Sequence, residues 1–280
     1  MSGKTDLKLT KAELAYAATY GPWAIVTGAS KGIGAEMAKE LARLKMNLVL
    51  VARDGHALET LAGELVDTTG IEVKTISADL STEDGINAVF TGTKGLDVGL
   101  FVANAGFGTS GPFIDGDLGQ EVEMIDLNVG AVAKMTHHYG NVFASSTRDR
   151  SGIIMLSSIV SWQGVPGSAN YAATKAWVQS FTEAIHKELK PLGIDVTAAA
   201  PAQVSTAFME RAKMKADGAD PATVARNTLY SLGKKTTAFP DFNSWFLSTS
   251  LAFLPRPIRV NILQGVMAGM TKAYKADEAA

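Results

Sequence analysis

The sequence predicts an α/β fold, a doubly wound parallel sheet with helices on both faces, and three observations carry that prediction. Short, nearly continuous apolar runs alternate with longer stretches whose apolar residues recur at helical spacing, the rhythm of right-handed βαβ units. The first apolar run leads straight into a glycine-rich turn, Gly28-Ala29-Ser30-Lys31-Gly32-Ile33-Gly34. A phenol and an ammonium, Tyr171 and Lys175, stand four residues apart in a later helical stretch, neighbours on one face.

Each element follows from its residues. Residues 10–19 open with Thr10 and Glu13 at capping-box spacing and read as a short helix before the first strand. Strands are expected at Trp23–Thr27, Asn47–Ala52, Val73–Ala78, Val98–Ala103, Gly152–Ser157 and Ile194–Ala199, apolar enough to be covered on both faces. Helices are expected between them at Ile33–Leu44, His56–Asp67, Thr82–Thr93, Val122–Ala144 and Asn170–Leu189. After Thr206, Ala207–Arg211 reads as a helix over the cleft. A helix from Pro221 to Leu232 and a short strand near Thr237–Phe239 complete the sheet. The expected organisation is an N-terminal helical extension (1–20), a single sheet domain (21–240) and a C-terminal apolar extension (241–280). Within the last, Phe242–Leu254 is too short for a membrane span of about 20 residues, and Pro255 and Pro257 end it. That run suits ordinary packing, a lid, a subunit interface or a peripheral membrane patch.

Composition narrows the partners. With 26 basic and 28 acidic residues the net charge is −2, so electrostatics give no case for nucleic acid, and a small, near-neutral partner is expected. Cysteine is absent, which removes disulfides and thiolate metal sites. Met1–Leu9 is polar and shows no secretory signal, so the expected location is cytoplasmic. His137 and His138 are consecutive, point to different helix faces and do not form a metal-binding pair; no metal is expected.

A glycine-rich turn between a strand and a helix N-terminus lets backbone N–H groups approach a pyrophosphate, with the helix dipole favouring its charge. Here the spacing is G-x-x-x-G-x-G. The same residues also spell G-x-S-x-G, the nucleophile elbow of serine hydrolases. That elbow needs a substantial part of the sheet before it and a downstream loop histidine. Only one strand precedes this one, and the last histidine, His186, lies mid-helix, so the hydrolase alternative is disfavoured. At the tip of the second strand stands Arg53, about where a dinucleotide-binding fold places the residue that meets the adenosine ribose. A guanidinium fork suits a 2′-phosphate, and Ser30 and Lys31 add a hydroxyl and a second positive charge, so NADP(H) is favoured over NAD(H).

Taken in order, Thr27-Gly28-x-x-x-Gly32-x-Gly34, Asp79-Leu80, Asn104-Ala105-Gly106, Asn128, Ser158 and Tyr171-x-x-x-Lys175 resemble the short-chain dehydrogenase/reductase family over residues 21–206. The resemblance implies a Rossmann-like fold and an oxidoreductase that moves hydride between nicotinamide and a carbonyl or secondary alcohol. It implies that Asp79 and Leu80 contact the adenine, that Asn104 to Gly106 line the cofactor cleft, and that Pro201 to Thr206 close over the nicotinamide, with Val204 and Thr206 at its carboxamide. It further implies that Ser158 binds the carbonyl oxygen, that Tyr171 is the proton donor, that Lys175 lowers the phenol pKa and binds ribose, and that Asn128 helps hold a water beside Lys175. Two departures stand out: Ala103 replaces the first Asn of Asn-Asn-Ala-Gly, and Ala202 replaces the Gly of Pro-Gly-x-Val-x-Thr.

Within the family, the opening Gly21-Pro22-Trp23-Ala24-Ile25-Val26-Thr27-Gly28, the strand end Val51-Ala52-Arg53 and the long apolar C-terminus are most similar to the branch of very-long-chain 3-oxoacyl-CoA reductases and 17-beta-hydroxysteroid dehydrogenases. The expected activity is reduction of an apolar ketone or 3-oxoacyl thioester, with a hydroxysteroid or another secondary alcohol as the alternative. A homodimer or homotetramer through the helices at 122–144 and 170–189 is implied. A different class of protein, an idle NADP(H) sensor or scaffold, is disfavoured by the intact Ser158, Tyr171 and Lys175.

Overall fold

The computed structural model describes residues 9–206, 208, 211–214 and 218–278. Helix α1 (Lys11–Tyr20) precedes strand β1 (Trp23–Thr27) and is opened by the expected capping box, in which Thr10 and Glu13 satisfy each other's backbone N–H groups. There follow α2 (Gly32–Arg43), β2 (Asn47–Ala52), α3 (Gly55–Thr69), β3 (Val73–Ser77), α4 (Glu83–Thr93) and β4 (Val98–Ala103). Next come α5 (Leu118–Ile125), α6 (Val132–Ala144), β5 (Ser151–Leu156), α7 (Ala169–Leu189) and β6 (Ile194–Ala199), then a helix at Pro221–Leu229 and a two-residue β7 (Thr237–Ala238).

The strands form a seven-stranded sheet in the order β3-β2-β1-β4-β5-β6-β7, every pairing parallel. This is the doubly wound, Rossmann-like arrangement, and the order reverses between β1 and β4, where a crevice opens beyond the strand ends. Strands β4, β5 and β6 are buried along their whole length, which is why their sequences do not alternate. One face carries α2, α3 and Pro221–Leu229, packed through Met37, Leu41, Leu58 and Leu229. The other carries α4, α6 and α7, packed through Val89, Met135, Tyr139 and Val178.

Two departures from the predicted elements matter. The helix expected over 122–144 is broken at Asp126–Ala131 by a π-helical segment containing Asn128. Such widened turns are invisible to a 3.6-residue pattern and recur at functional sites. Beyond the helix Phe242–Ala252, the chain restarts after Pro255 as a long helix, Arg256–Glu278, that the sequence reading left without structure. No described helix is long and apolar enough to cross a membrane.

Candidate active site

At the crevice the sheet opens into a cleft of about 690 Å³. Of the residues singled out in the sequence, Ser30, Lys31, Gly32, Ile33, Arg53, Asp79, Leu80 and the others all line it except Gly34 and Asn128, which lie behind the wall.

The glycine turn is shaped by close contact. Gly28 and Gly32 have positive φ (66° and 60°), and a Cβ on Gly34 would lie 2.3 Å from the Gly28 carbonyl oxygen. Asn104 locks the turn from the neighbouring strand: its Nδ2 donates to the carbonyls of Thr27 (2.8 Å) and Gly28 (3.2 Å). The buried Thr27 hydroxyl accepts from the Asn104 and Ala105 amides, both at 3.0 Å. The result is a tightly packed turn at the start of α2, lining the cleft through Gly28, Ser30, Lys31, Gly32 and Ile33.

Along the β2 and β3 tips, Asp54 caps α3 by accepting from the Ala57 amide, while Arg53 lines the cleft. The Arg53 Nη1 donates to Glu123 Oε1 on α5 at 3.1 Å. The same oxygen lies 3.6 Å from Arg211 Nη2, and the Arg211 guanidinium sits 3.6 Å above the Phe107 ring centroid. Burial would raise the Asp79 carboxyl, but hydrogen bonds from Ser81 outweigh it and, with the charges of Arg53 and Arg211, hold it below its ordinary value.

At the β5 end three serines sort themselves by hydrogen bonding. Ser161 donates to the Ser158 carbonyl at 2.6 Å, and Ser157 shares its proton between Ser161 Oγ at 2.7 Å and the Lys175 carbonyl at 3.2 Å. Both are thus built into the turn Ile159–Trp162. The Ser158 hydroxyl accepts from the Val160 amide at 3.4 Å and faces the Tyr171 phenol. Burial pushes that phenol up to about 12, and the Ser158 hydroxyl opposes the rise. The Lys175 ammonium, pushed down to about 8 by burial, donates to the Leu156 carbonyl at 2.7 Å and lies 5.7 Å from the Tyr171 ring centroid. The ammonium is thus held beside the ring, and burial is the larger influence on the phenol.

Asn128 acts behind these groups. Its Nδ2 donates to the Phe107 carbonyl (2.9 Å) and Thr174 Oγ1 (3.1 Å), and its Oδ1 accepts from the Phe107 amide (3.1 Å). Both amide protons are committed, so its side chain ties the Asn104–Phe107 loop to α7. Across the cleft, Val204 forms a bridge with Ala219, and Thr206 faces Gly32 closely enough that a Cβ there would lie 3.1 Å from its methyl. Pro201 accepts from the Ile159 amide, linking this segment to the serine turn. Of the helix expected at Ala207–Arg211, Ala207, Met209 and Glu210 lie outside the described residues, while Phe208 and Arg211 line the cleft.

A family model described as short chain dehydrogenase matches residues 22–217. The chain belongs to the short chain dehydrogenase family. Among its relatives, the very-long-chain 3-oxoacyl-CoA reductase of Anas platyrhynchos is 33% identical over 249 residues, covering 87% of this chain and 79% of the relative. The 7beta-hydroxysteroid dehydrogenase of Clostridium sardiniense is 33% identical over 223 residues, covering 78% and 85%. A solved short-chain dehydrogenase from Sphingobium yanoikuyae in complex with NADPH superposes with a TM-score of 0.76 at 28% identity, covering 88% of this chain and 95% of that one. The hydroxysteroid relative bears the name 7beta, whereas the sequence resemblance pointed to the 17-beta group.

This short chain dehydrogenase also has cleft residues that the sequence reading missed. The C-terminal helix contributes Leu263, Val266, Met267 and Met270, and Phe107 and Met214 add to the same apolar wall. Leu263, Met267 and Met270 recur at helical spacing, a signal that could have placed one face of this helix against the protein. The aromatic run before it turns outward instead: Phe242, Trp245, Phe246 and Phe253 are exposed. Among the described residues no acidic or histidine cluster could hold a metal.

Proposed function

We propose that this chain is an NADP(H)-dependent reductase of an apolar ketone or 3-oxoacyl thioester, with Tyr171 as the acid. The observation that carries the reading is that Ser158, Tyr171 and Lys175 line one apolar cleft, with the phenol facing Ser158 and Lys175 one helical turn behind it. The turn at Gly28 to Gly34, whose glycines allow positive φ and close packing against Asn104, Ala105 and Thr206, suits a dinucleotide pyrophosphate at the start of α2, with Ile33 and Leu80 as apolar contacts and Asp79 toward the adenine end. Arg53, aided by Ser30 and Lys31, is assigned the 2′-phosphate, and the name of the NADPH-bound relative supports that choice. When bound, the nicotinamide supplies the hydride.

Every other part of the reaction falls to the chain. Ser158 donates a hydrogen bond to the substrate oxygen and orients it toward Tyr171. Tyr171 releases its proton to that oxygen as negative charge develops there. Lys175, buried and anchored on the Leu156 carbonyl, places a positive charge beside the phenolate that results. Asn104, Ala105 and Gly106 hold the floor between turn and acid, Asn128 fixes that floor, and Val204 and Thr206 hold the opposite wall. The reverse sequence oxidises a secondary alcohol, and the hydroxysteroid relative makes this the second reading. Assembly as a homodimer or homotetramer through α6 and α7 belongs to the proposal, with the outward aromatics of Phe242–Ala252 available to a second subunit or a membrane surface.

The test is NADPH consumption across 3-oxoacyl thioesters, steroid ketones, and small cyclic and aliphatic ketones, repeated with NADH. Equal rates with NADH refute the assignment of Arg53. Tyr171→Phe is expected to bind cofactor but to lose turnover by at least about 10²-fold; activity within tenfold of the parent refutes the acid.

A further inference from the structure

Arg53 and Arg211 converge on a single carboxylate oxygen, Glu123 Oε1, at 3.1 and 3.6 Å. They arrive from different parts of the chain: Arg53 from the β2 tip, Glu123 from α5, and Arg211 from the segment that follows the Thr206 wall. Two guanidiniums brought together repel, and one carboxylate offsets only part of that. Arg211 is held in place by more than the ion pair. Its guanidinium carbon lies 3.6 Å from the Phe107 ring centroid, and its neighbours Ala212 and Met214 are buried with Leu263 and Met267 of the C-terminal helix. All three of Arg53, Arg211 and Asp79 line the cleft.

We propose that Glu123 is a built-in stand-in for a ligand phosphate: it holds Arg53 and Arg211 together, and a 2′-phosphorylated adenosine displaces it to bridge the same two guanidiniums. This rests on the reading of Arg53 given above and adds two residues to it. A phosphate monoester carries nearly two negative charges and three acceptor oxygens, so it satisfies two guanidinium forks where Glu123 satisfies one with a single close contact. Glu123 is therefore a specificity-determining residue that works by competition. It weakens binding of the phosphorylated cofactor by occupying its partners, and it leaves the unphosphorylated cofactor unaffected. Because Arg211 belongs to the segment beside Phe208 and Thr206, the same phosphate ties down the wall of the substrate cleft.

The experiment is calorimetric titration of the full chain with 2′,5′-ADP and with 5′-AMP, which differ only by the phosphate at issue. Glu123→Gln is expected to tighten 2′,5′-ADP by about threefold to tenfold, the scale of one or two partly exposed ion pairs, with 5′-AMP unchanged. Arg211→Gln is expected to weaken 2′,5′-ADP by a similar factor without touching 5′-AMP. In the Arg53→Gln/Arg211→Gln background the gain from Glu123→Gln is expected to vanish. Unchanged or weaker binding of 2′,5′-ADP by Glu123→Gln, in a protein whose Arg53→Gln variant does lose affinity, overturns this inference alone. An Arg53→Gln variant that binds 2′,5′-ADP like the parent overturns the assignment of Arg53 and this inference with it. Equal loss of both nucleotides in Arg211→Gln refutes the phosphate role of Arg211.

Discussion

Replacing Lys175 by methionine should stabilise the protein while abolishing its chemistry, and the size of the effect follows from the burial of the ammonium. Lys175 is 6% exposed, and burial pulls it from its ordinary 10.5 to about 8. That fall corresponds to about 3 kcal/mol against the charged form at neutral pH. Methionine removes that cost and fills a similar volume, but it leaves the Leu156 carbonyl without its 2.7 Å donor, a loss of about 1–2 kcal/mol. The net expectation is a gain of about 1–2 kcal/mol at pH 7, read as a higher urea midpoint at constant slope. The sign can be tested independently. Between about 8 and 10.5 the unfolded chain binds the Lys175 proton and the folded chain does not, so parent stability from this group rises with pH across that window. Below pH 8 the full cost is present; towards 10.5 it is gone. The advantage of Lys175→Met should therefore shrink as the pH is raised from 7 to 10, with urea unfolding measured for both proteins at each pH. A variant less stable than the parent at pH 7, or an advantage independent of pH, would refute the claim that desolvation dominates at this lysine.

Two further outcomes probe the cofactor end. Gly34→Ala places a methyl 2.3 Å from the Gly28 carbonyl oxygen and 2.4 Å from Asn104 Nδ2, so the turn must open; NADPH affinity, followed by fluorescence titration, should fall by at least about tenfold with the fold retained by circular dichroism. Thr27→Val keeps the shape but strands the Asn104 and Ala105 amides, at a cost of about 1–3 kcal/mol in urea unfolding because water from the cleft can reach them in part; Thr27→Ser should retain most of the stability, and equal losses in the two variants would rule out the hydrogen bonds as the cause.

Much of the site was legible because it depends on local pattern. The turn at Gly28–Gly34 and the pair Tyr171/Lys175 are set by spacing along one element, and Ser158 lies at a strand end, where open α/β sheets bind their ligands. Ser157, Ser158 and Ser161 could be told apart in the sequence only by the family resemblance. The fold separates them physically, since Ser157 and Ser161 are occupied by each other while Ser158 meets Tyr171. Asn128 stands in the motif series of the sequence, yet the π-helical turn that aims its amide at Phe107 and Thr174 leaves no trace in apolar periodicity.

By itself the sequence determined the order of strands and helices and the parallel sheet, because burial on two faces and helical spacing are properties of consecutive residues; the family was legible through the resemblance of its ordered motifs. Tertiary structure alone decided which side chains meet across the cleft. The apolar wall comes from Leu263, Met267 and Met270 rather than from the more aromatic run at 242–253, whose rings face outward. The charge cluster of Arg53, Glu123 and Arg211 joins three distant segments. The surroundings of Tyr171 were decided there as well: spacing brings Lys175 onto its face, but the fold buries both side chains and aims the ammonium at the Leu156 carbonyl.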